Sequence, residues 1–296
     1  MQHWPGVKGK RVVITGATSG IGLAAAEALA ARGAQITIVA RSEARASDAA
    51  RRIAAVAGSG VPVDALICDL SLQSSVRRLA AQLLERHPRI DVLVNNAGAM
   101  YATRRYSDEG IELTWALNHL APFLLTSLLL ERIKHSAPAR IITTSSGAHN
   151  GAEIPFDDLR AERSYRGRGF RRYGETKLAN ILFTSELAHR LEGTGVTANC
   201  FHPGLVASGF NRNNGSAMRA VMTIIKPVSR SPSKGAQTLV WLADSASVAD
   251  RSGGYFIDER RSTPSRQAQD PETARRLWEL SVQQVSASAQ GGPPLA

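Results

Sequence analysis

The sequence predicts an α/β fold of the doubly wound kind, a single parallel sheet of about seven strands with helices on both faces. Three observations carry this. Short β-branched runs alternate with helical patterns through about residue 260. The first of these runs passes directly into a glycine-rich turn and then an alanine-rich helical stretch. Finally, 296 residues with 43% hydrophobic content suffice to bury one large core. Strands that alternate with helices pair in parallel, because right-handed crossovers lay the helices over the sheet.

Taken in order, Arg11-Val-Val-Ile-Thr15 reads as a buried strand. It runs into Gly16-Ala-Thr-Ser-Gly20-Ile-Gly22 and then a helical pattern from Leu23 to Arg32, closed by Gly33. Further strands are expected near 35–39, 63–68, 92–94, 140–145, 196–201 and 254–257. No linker or internal repeat interrupts this span, so residues 1–285 read as a single domain. The last stretch, 286–296, is small, polar and Pro/Gly-rich and reads as a disordered tail.

Two patterns carry chemistry. Strand, glycine turn and helix start together form a phosphate cradle, since glycines admit the backbone to a pyrophosphate and the helix offers N–H groups. A glycine turn without a ligand is the local alternative. The second pattern is Tyr173-Gly-Glu-Thr-Lys177, which sets a phenol and an ammonium on one helical face. A phenol of pKa roughly 10 is a poor acid–base group at neutral pH, and a neighbouring ammonium favours its ionised form.

Together these residues resemble the short-chain dehydrogenase/reductase family. Its Thr-Gly-x-x-x-Gly-x-Gly motif is matched from Thr15 to Gly22, and other family landmarks follow in order: Asn95-Asn96-Ala97-Gly98, Ser145-Ser146 and Pro203-Gly204. The resemblance spans Lys8 to Trp278 and implies a Rossmann-type sheet, with a substrate lid at about 205–235. Asn118-His-Leu-Ala-Pro-Phe, Lys177-Leu-Ala-Asn-Ile-Leu-Phe183, His202-Pro-Gly204 and Arg275-Arg-Leu-Trp278 are similar to the retinol-dehydrogenase-like branch, as is the long gap between Ser146 and Tyr173.

The resemblance implies site residues. Gly16, Thr18, Ser19, Gly20, Ile21 and Gly22 would cradle the cofactor phosphates. Arg41 ends the second strand, where an acid would bind ribose hydroxyls and an arginine accommodates a 2′-phosphate, with Arg45 one turn on. NADP (NADPH) is therefore favoured over NAD, the alternative for Arg41 being a solvated strand end. Asp69 and Leu70 would lie beside the adenine; Asp69 could equally cap the helix that follows. Asn96, Ala97, Gly98, Pro203, Gly204, Val206 and Ser208 complete the cofactor set, with Tyr173 and Lys177 shared. In catalysis Tyr173 would exchange the proton, Lys177 would hold down its pKa, and Ser146 would bond the reacting oxygen, with Ser145 the alternative hydroxyl. Asn118 would fix the helix carbonyl and water chain that presents Lys177. No metal is implied.

The activity implied is hydride transfer between NADP(H) and a lipophilic carbonyl or alcohol; a catalytically weak cofactor-bound scaffold is the alternative. Met218, Val221, Met222, Ile224 and Ile225 would form an adaptable apolar lid, or else pack on their own domain. Cys68 and Cys200 fit no metal or redox motif and read as core residues in a reducing cytoplasm. No secretory or membrane-spanning run is expected, unlike the anchored members of that branch. The net charge of +11 is spread over many helices without a nucleic-acid-binding motif. Arg160, Arg163, Arg166, Arg168, Arg171 and Arg172 form a cluster that either steers an anionic substrate or lines a solvated loop. Homo-oligomerisation through the Tyr173 helix stays open.

Overall fold

The computed structural model describes residues 4–58, 60–165, 167, 169–206 and 229–287. Strands β1 (Arg11–Thr15), β2 (Gln35–Ala40), β3 (Val63–Ile67), β4 (Val92–Asn95), β5 (Ala139–Thr144), β6 (Val196–His202), β7 (Tyr255–Ile257) and β8 (Arg260–Ser262) build one sheet. Among the described residues its order is β3-β2-β1-β4-β5-β6-β7-β8, parallel throughout except for the antiparallel β7–β8 pair. The expected strands are all present, and β8 is an addition. Arg260-Arg-Ser262 is largely exposed and has no apolar alternation to announce it. It exists because Asp258 and Glu259 both take positive φ, 50° and 63°. Two such residues make the tight turn whose twist suits a hairpin.

The helices are α1 (Gly20–Ala30), α2 (Glu43–Val56), α3 (Gln73–Arg86), α4 (Leu113–His135), α5 (Phe170–Arg190), α6 (Pro232–Asp244) and α7 (Pro271–Ala287). α1, α2 and α6 cover one face, over a core that includes Ile14, Leu29, Ile36, Ile53 and Phe256. α3, α4, α5 and α7 cover the other, around Leu83, Leu93, Phe123, Ile141 and Leu182. α4 is long and apolar enough to cross a membrane, with mean hydropathy 1.4, although Asn118, His119 and Pro122 interrupt it as an apolar run. Since 78% of that stretch is buried inside the protein, it serves here as a central core helix. α7 reaches Ala287, two residues into the stretch expected to be tail. Trp278 anchors it, edge-on to Phe123 at 4.9 Å and stacked on Phe183 at 5.9 Å.

Candidate active site

The chain winds from β1 outward to β3 and then returns to β4 on the other side of β1. That reversal opens a crevice beyond the carboxyl ends of β1 and β4, the usual ligand position in a doubly wound sheet. The glycine loop forms one wall. Gly16 and Gly20 have φ of 69° and 57°, which glycine adopts without strain. A Cβ on Gly22 would lie 2.4 Å from the Gly16 carbonyl oxygen and 2.5 Å from Asn96 Nδ2. α1 can therefore start this close to the loop only with glycine there. Ser19 precedes α1 in an extended conformation and makes no side-chain cap bond, so the leading N–H groups remain available to an anion. The residues present fit a dinucleotide pyrophosphate.

Thr18 faces a groove of roughly 430 Å³ shared with Leu23, Arg45 and Arg52. Arg51 and Arg52 are paired with Asp48 and Glu27. Arg41 and Arg45 are exposed and carry no ion pair among the described residues. Asp69 closes its own turn, accepting from Ser71 N at 2.9 Å and Ser71 Oγ at 2.7 Å. It does not cap α3. That end is capped from a distance by Glu109, which takes Gln73 N at 2.6 Å and Ser74 N at 3.0 Å. Leu70 beside Asp69 is buried.

The turn after β4 is stapled to the glycine loop. Thr15 Oγ accepts from the N–H groups of Asn96 at 3.0 Å and Ala97 at 3.1 Å. Asn96 Nδ2 donates to the carbonyls of Thr15 and Gly16, and its Oδ1 accepts from Thr144 Oγ at 3.3 Å. Its side chain thus supports the loop. Gly98 comes next: a Cβ there would sit 3.2 Å from Asn118 Oδ1 and 3.5 Å from Lys177 Nζ.

Lys177 is buried on α5, with Nζ donating to the Thr144 carbonyl at 3.0 Å and lying 5.4 Å from the centroid of the Tyr173 ring. Geometry separates the two serines. Ser145 is buried and donates to the Lys177 backbone carbonyl at 2.8 Å. Ser146 is half-buried, accepts from Ala148 N at 3.2 Å and hydrogen-bonds Tyr173. Asn118 lies in a π-helical turn, Ala116–Leu120, inside α4, a local irregularity frequent at functional sites. Its amide exchanges two hydrogen bonds with the Ala99 backbone, both 2.9 Å, and donates to Thr176 Oγ at 3.0 Å. The side chain itself therefore braces the Gly98 turn against α5.

Burial pushes the Tyr173 phenol up to about 12, opposed by the Ser146 hydrogen bond. Burial also pulls Lys177 down to about 8. Desolvation is the larger influence on the phenol, and the ammonium lies against the face of its ring.

Pro203 is buried, and Gly204 has φ of 80° where a Cβ would fall 2.7 Å from Arg230 Nε. Val206 bridges to Arg230 and packs near Gly235 and Ile21, bringing this return segment to the glycine loop. Ser208, the lid residues Met218–Ile225, Arg166, Arg168 and the tail from 288 lie outside the described residues. The rest of the arginine cluster is committed internally. Arg160 pairs with Glu162, Arg163 with Asp157, Arg171 with Glu175, and buried Arg172 with Glu112 and Glu175. Sequence reasoning missed Glu109, Glu112 and His149, because each has a partner far along the chain: Gln73, Arg172 and Ser265 respectively.

The family model for short chain dehydrogenase matches residues 10–156. Retinol dehydrogenase 12 of Mus musculus is 42% identical over 278 residues, covering 94% of this chain and 86% of that protein. The chain belongs to the short-chain dehydrogenase family. Within it, the chain is retinol-dehydrogenase-like. A Streptomyces sp. (strain C5) protein provisionally named daunorubicin C-13 ketoreductase DnrU is 39% identical over 285 residues, 96% of each chain. Among solved structures, the Pseudomonas aeruginosa RhlG/NADP active-site complex aligns with TM-score 0.68 at 28% identity, over 93% of this chain and 100% of that one. As a short-chain dehydrogenase the protein is an oxidoreductase of a family that uses a nicotinamide cofactor, and the doubly wound sheet read from sequence is its fold.

Proposed function

We propose that this short-chain dehydrogenase moves a hydride between NADP(H) and a lipophilic ketone, aldehyde or secondary alcohol. The observation that carries the reading is the convergence of Tyr173, Ser146 and Lys177 beside the Gly98 turn at the mouth of the crevice. The nicotinamide, when bound, supplies or accepts the hydride. The chain's own groups do the rest. Glycine-loop amides and the start of α1 would hold the pyrophosphate, and Arg41 with Arg45 would hold a 2′-phosphate. Ser146 Oγ would donate a hydrogen bond to the reacting oxygen as charge develops there. In reduction Tyr173 would donate its proton to that oxygen; in oxidation its phenolate would take the proton back. Burial raises the phenol further above neutral pH, so at rest it carries the proton that reduction requires. The Thr144 carbonyl would keep Lys177 pointed at the site, while Asn118 would brace the helix that carries it through Thr176.

A scaffold protein would have no need of this convergence. The lipophilic reading draws on relatives named for retinol and for the C-13 ketone of daunorubicin. It is tested with a homologous series of alkyl aldehydes and ketones, following NADPH absorbance. An apolar pocket gains about 0.8 kcal/mol per buried methylene, so kcat/KM should climb several-fold per carbon over the first additions. A flat series, or a preference for small charged carbonyls, would contradict an apolar pocket.

A further inference from the structure

We propose that His149 is a positioning residue for Ser146, fixing the reacting hydroxyl through a neutral imidazole of a single tautomer; this rests on the role of Ser146 proposed above. His149 ends the short 3₁₀ turn Gly147–His149 that Ser146 caps, and it is fully buried. Both ring nitrogens meet backbone. Nδ1 lies 2.7 Å from the Ser146 carbonyl oxygen, and Nε2 accepts from the Ser265 N–H at 3.1 Å. A carbonyl can only accept and an amide N–H can only donate, so Nδ1 carries the proton and Nε2 is bare. Burial also lowers the pKa of His149, which keeps the ring neutral. The ring packs edge-on against Tyr255 at 5.2 Å, which leaves it little room to turn.

The result is a strut. It runs from the Ser146 peptide, across the imidazole, to the segment between β8 and α7, an element more than a hundred residues away in the chain. A second histidine holds the same turn from the other side: His202 Nδ1 accepts from Gly147 N–H at 3.1 Å. Ser146 Oγ is already committed to Ala148 N–H at 3.2 Å and to Tyr173, so its aim follows the peptide to which it is attached. The Ser146 carbonyl also accepts from the His149 backbone N–H at 3.2 Å. Losing the ring bond therefore leaves the turn closed by its backbone alone, free to shift by the small amount that carries the hydroxyl off the line to Tyr173. A misplacement of about 1 Å at a reacting group is enough to cost on the order of a hundredfold in rate.

The test uses two replacements that separate the ring nitrogens. In His149→Asn the amide nitrogen falls near the place of Nδ1 and keeps the bond to Ser146; in His149→Gln the amide reaches the place of Nε2 and keeps only Ser265. Reduction of an aldehyde from the homologous series is followed at saturating NADPH, with the NADPH dissociation constant measured by fluorescence and the melting temperature recorded alongside. His149→Asn should stay within roughly fivefold of the unmodified kcat, and His149→Gln should lose about 10- to 100-fold, with NADPH affinity unchanged in both. Placed on Ser146→Ala, His149→Gln should cost less than about twofold more, because the group it aims is gone. Equal losses in Asn and Gln, or the same loss with and without Ser146, would overturn the positioning role. Normal turnover of Ser146→Ala alone would instead overturn the role of Ser146 itself, and the strut's purpose with it.

Discussion

Between β1 and α1 the crevice is shaped by side chains that are missing, whereas around α5 it is held by side chains that are charged and buried. On the first side Gly16 and Gly22 leave space that a Cβ would fill, at 2.7 Å from Ala97 Cα and 2.4 Å from the Gly16 carbonyl oxygen respectively. On the second, Arg172 Nε meets Glu112 at 2.8 Å, its Nη1 meets Glu175 at 3.1 Å, and the guanidinium lies 4.7 Å from the centroid of the Trp115 ring. Glu112 in turn caps the start of α4, accepting from Thr114 N and Trp115 N. The residue before Tyr173 thus locks the catalytic helix to the helix that carries Asn118. A phosphate cradle needs backbone access, which glycine supplies locally. A catalytic helix needs a fixed direction, which distant partners supply.

The sharpest way to break this contrast is Arg172→Met. Removing one member of a buried ion pair leaves Glu112 charged and without its counter-ion, held by the Thr114 and Trp115 amides, at a cost of about 3–5 kcal/mol. Denaturant unfolding should show that loss, and adding Glu112→Gln should restore most of it. A single-variant loss below about 1 kcal/mol would mean that α5 is not held by this pair.

Lys177→Met should act in the opposite direction on stability. Burial holds Lys177 near 8 in the folded protein against an ordinary 10.5. At pH 7 the folded state therefore carries a charge that it disfavours, a cost of up to about 3 kcal/mol. Between pH 8 and 10.5 the unfolded chain binds the extra proton, so stability of the unmodified protein rises with pH and the cost fades. The variant should be the more stable protein at pH 7, lose that margin by pH 10.5, and turn over poorly throughout. A stability difference independent of pH would contradict the account of Lys177 as a buried ammonium kept for function.

Arg41→Ala probes the backbone-built side and has the smallest expected effect. A charge-assisted contact to a 2′-phosphate is worth about 1.5–3 kcal/mol, less at an exposed edge. NADPH should exceed NADH in kcat/KM by roughly one to two decades, and the variant should lose most of that preference. Equal use of both cofactors by the unmodified protein would remove Arg41 from phosphate recognition.

The same contrast explains what could be read in advance. The glycine loop, the strands flanking it and the Tyr173/Lys177 pair are local patterns, visible within a few residues of one another. β8 was hidden because Arg260-Arg-Ser262 has no apolar period and its turn uses Asp258 and Glu259 instead of glycine. The cap on α3 was assigned to Asp69 as an alternative because it stands nearby, yet it comes from Glu109, 36 residues on from Gln73. Arg172 read as one of a solvated or steering cluster; its burial depends on Glu112, 60 residues earlier. The choice between Ser145 and Ser146 needed the placement of α5, which takes the Ser145 hydroxyl on the Lys177 carbonyl and leaves Ser146 facing Tyr173.

Both sides of the crevice matter only if the proton passes through Tyr173. Tyr173→Phe removes one oxygen from a side chain that also contacts Ser146 and leaves the glycine cradle untouched. The variant should bind NADPH with a dissociation constant within about threefold of the unmodified protein, while reduction of the best aldehyde in the series slows by two or more orders of magnitude, roughly the value of a positioned general acid. Near-normal kcat in a folded, NADPH-binding Tyr173→Phe protein would contradict the account at its centre.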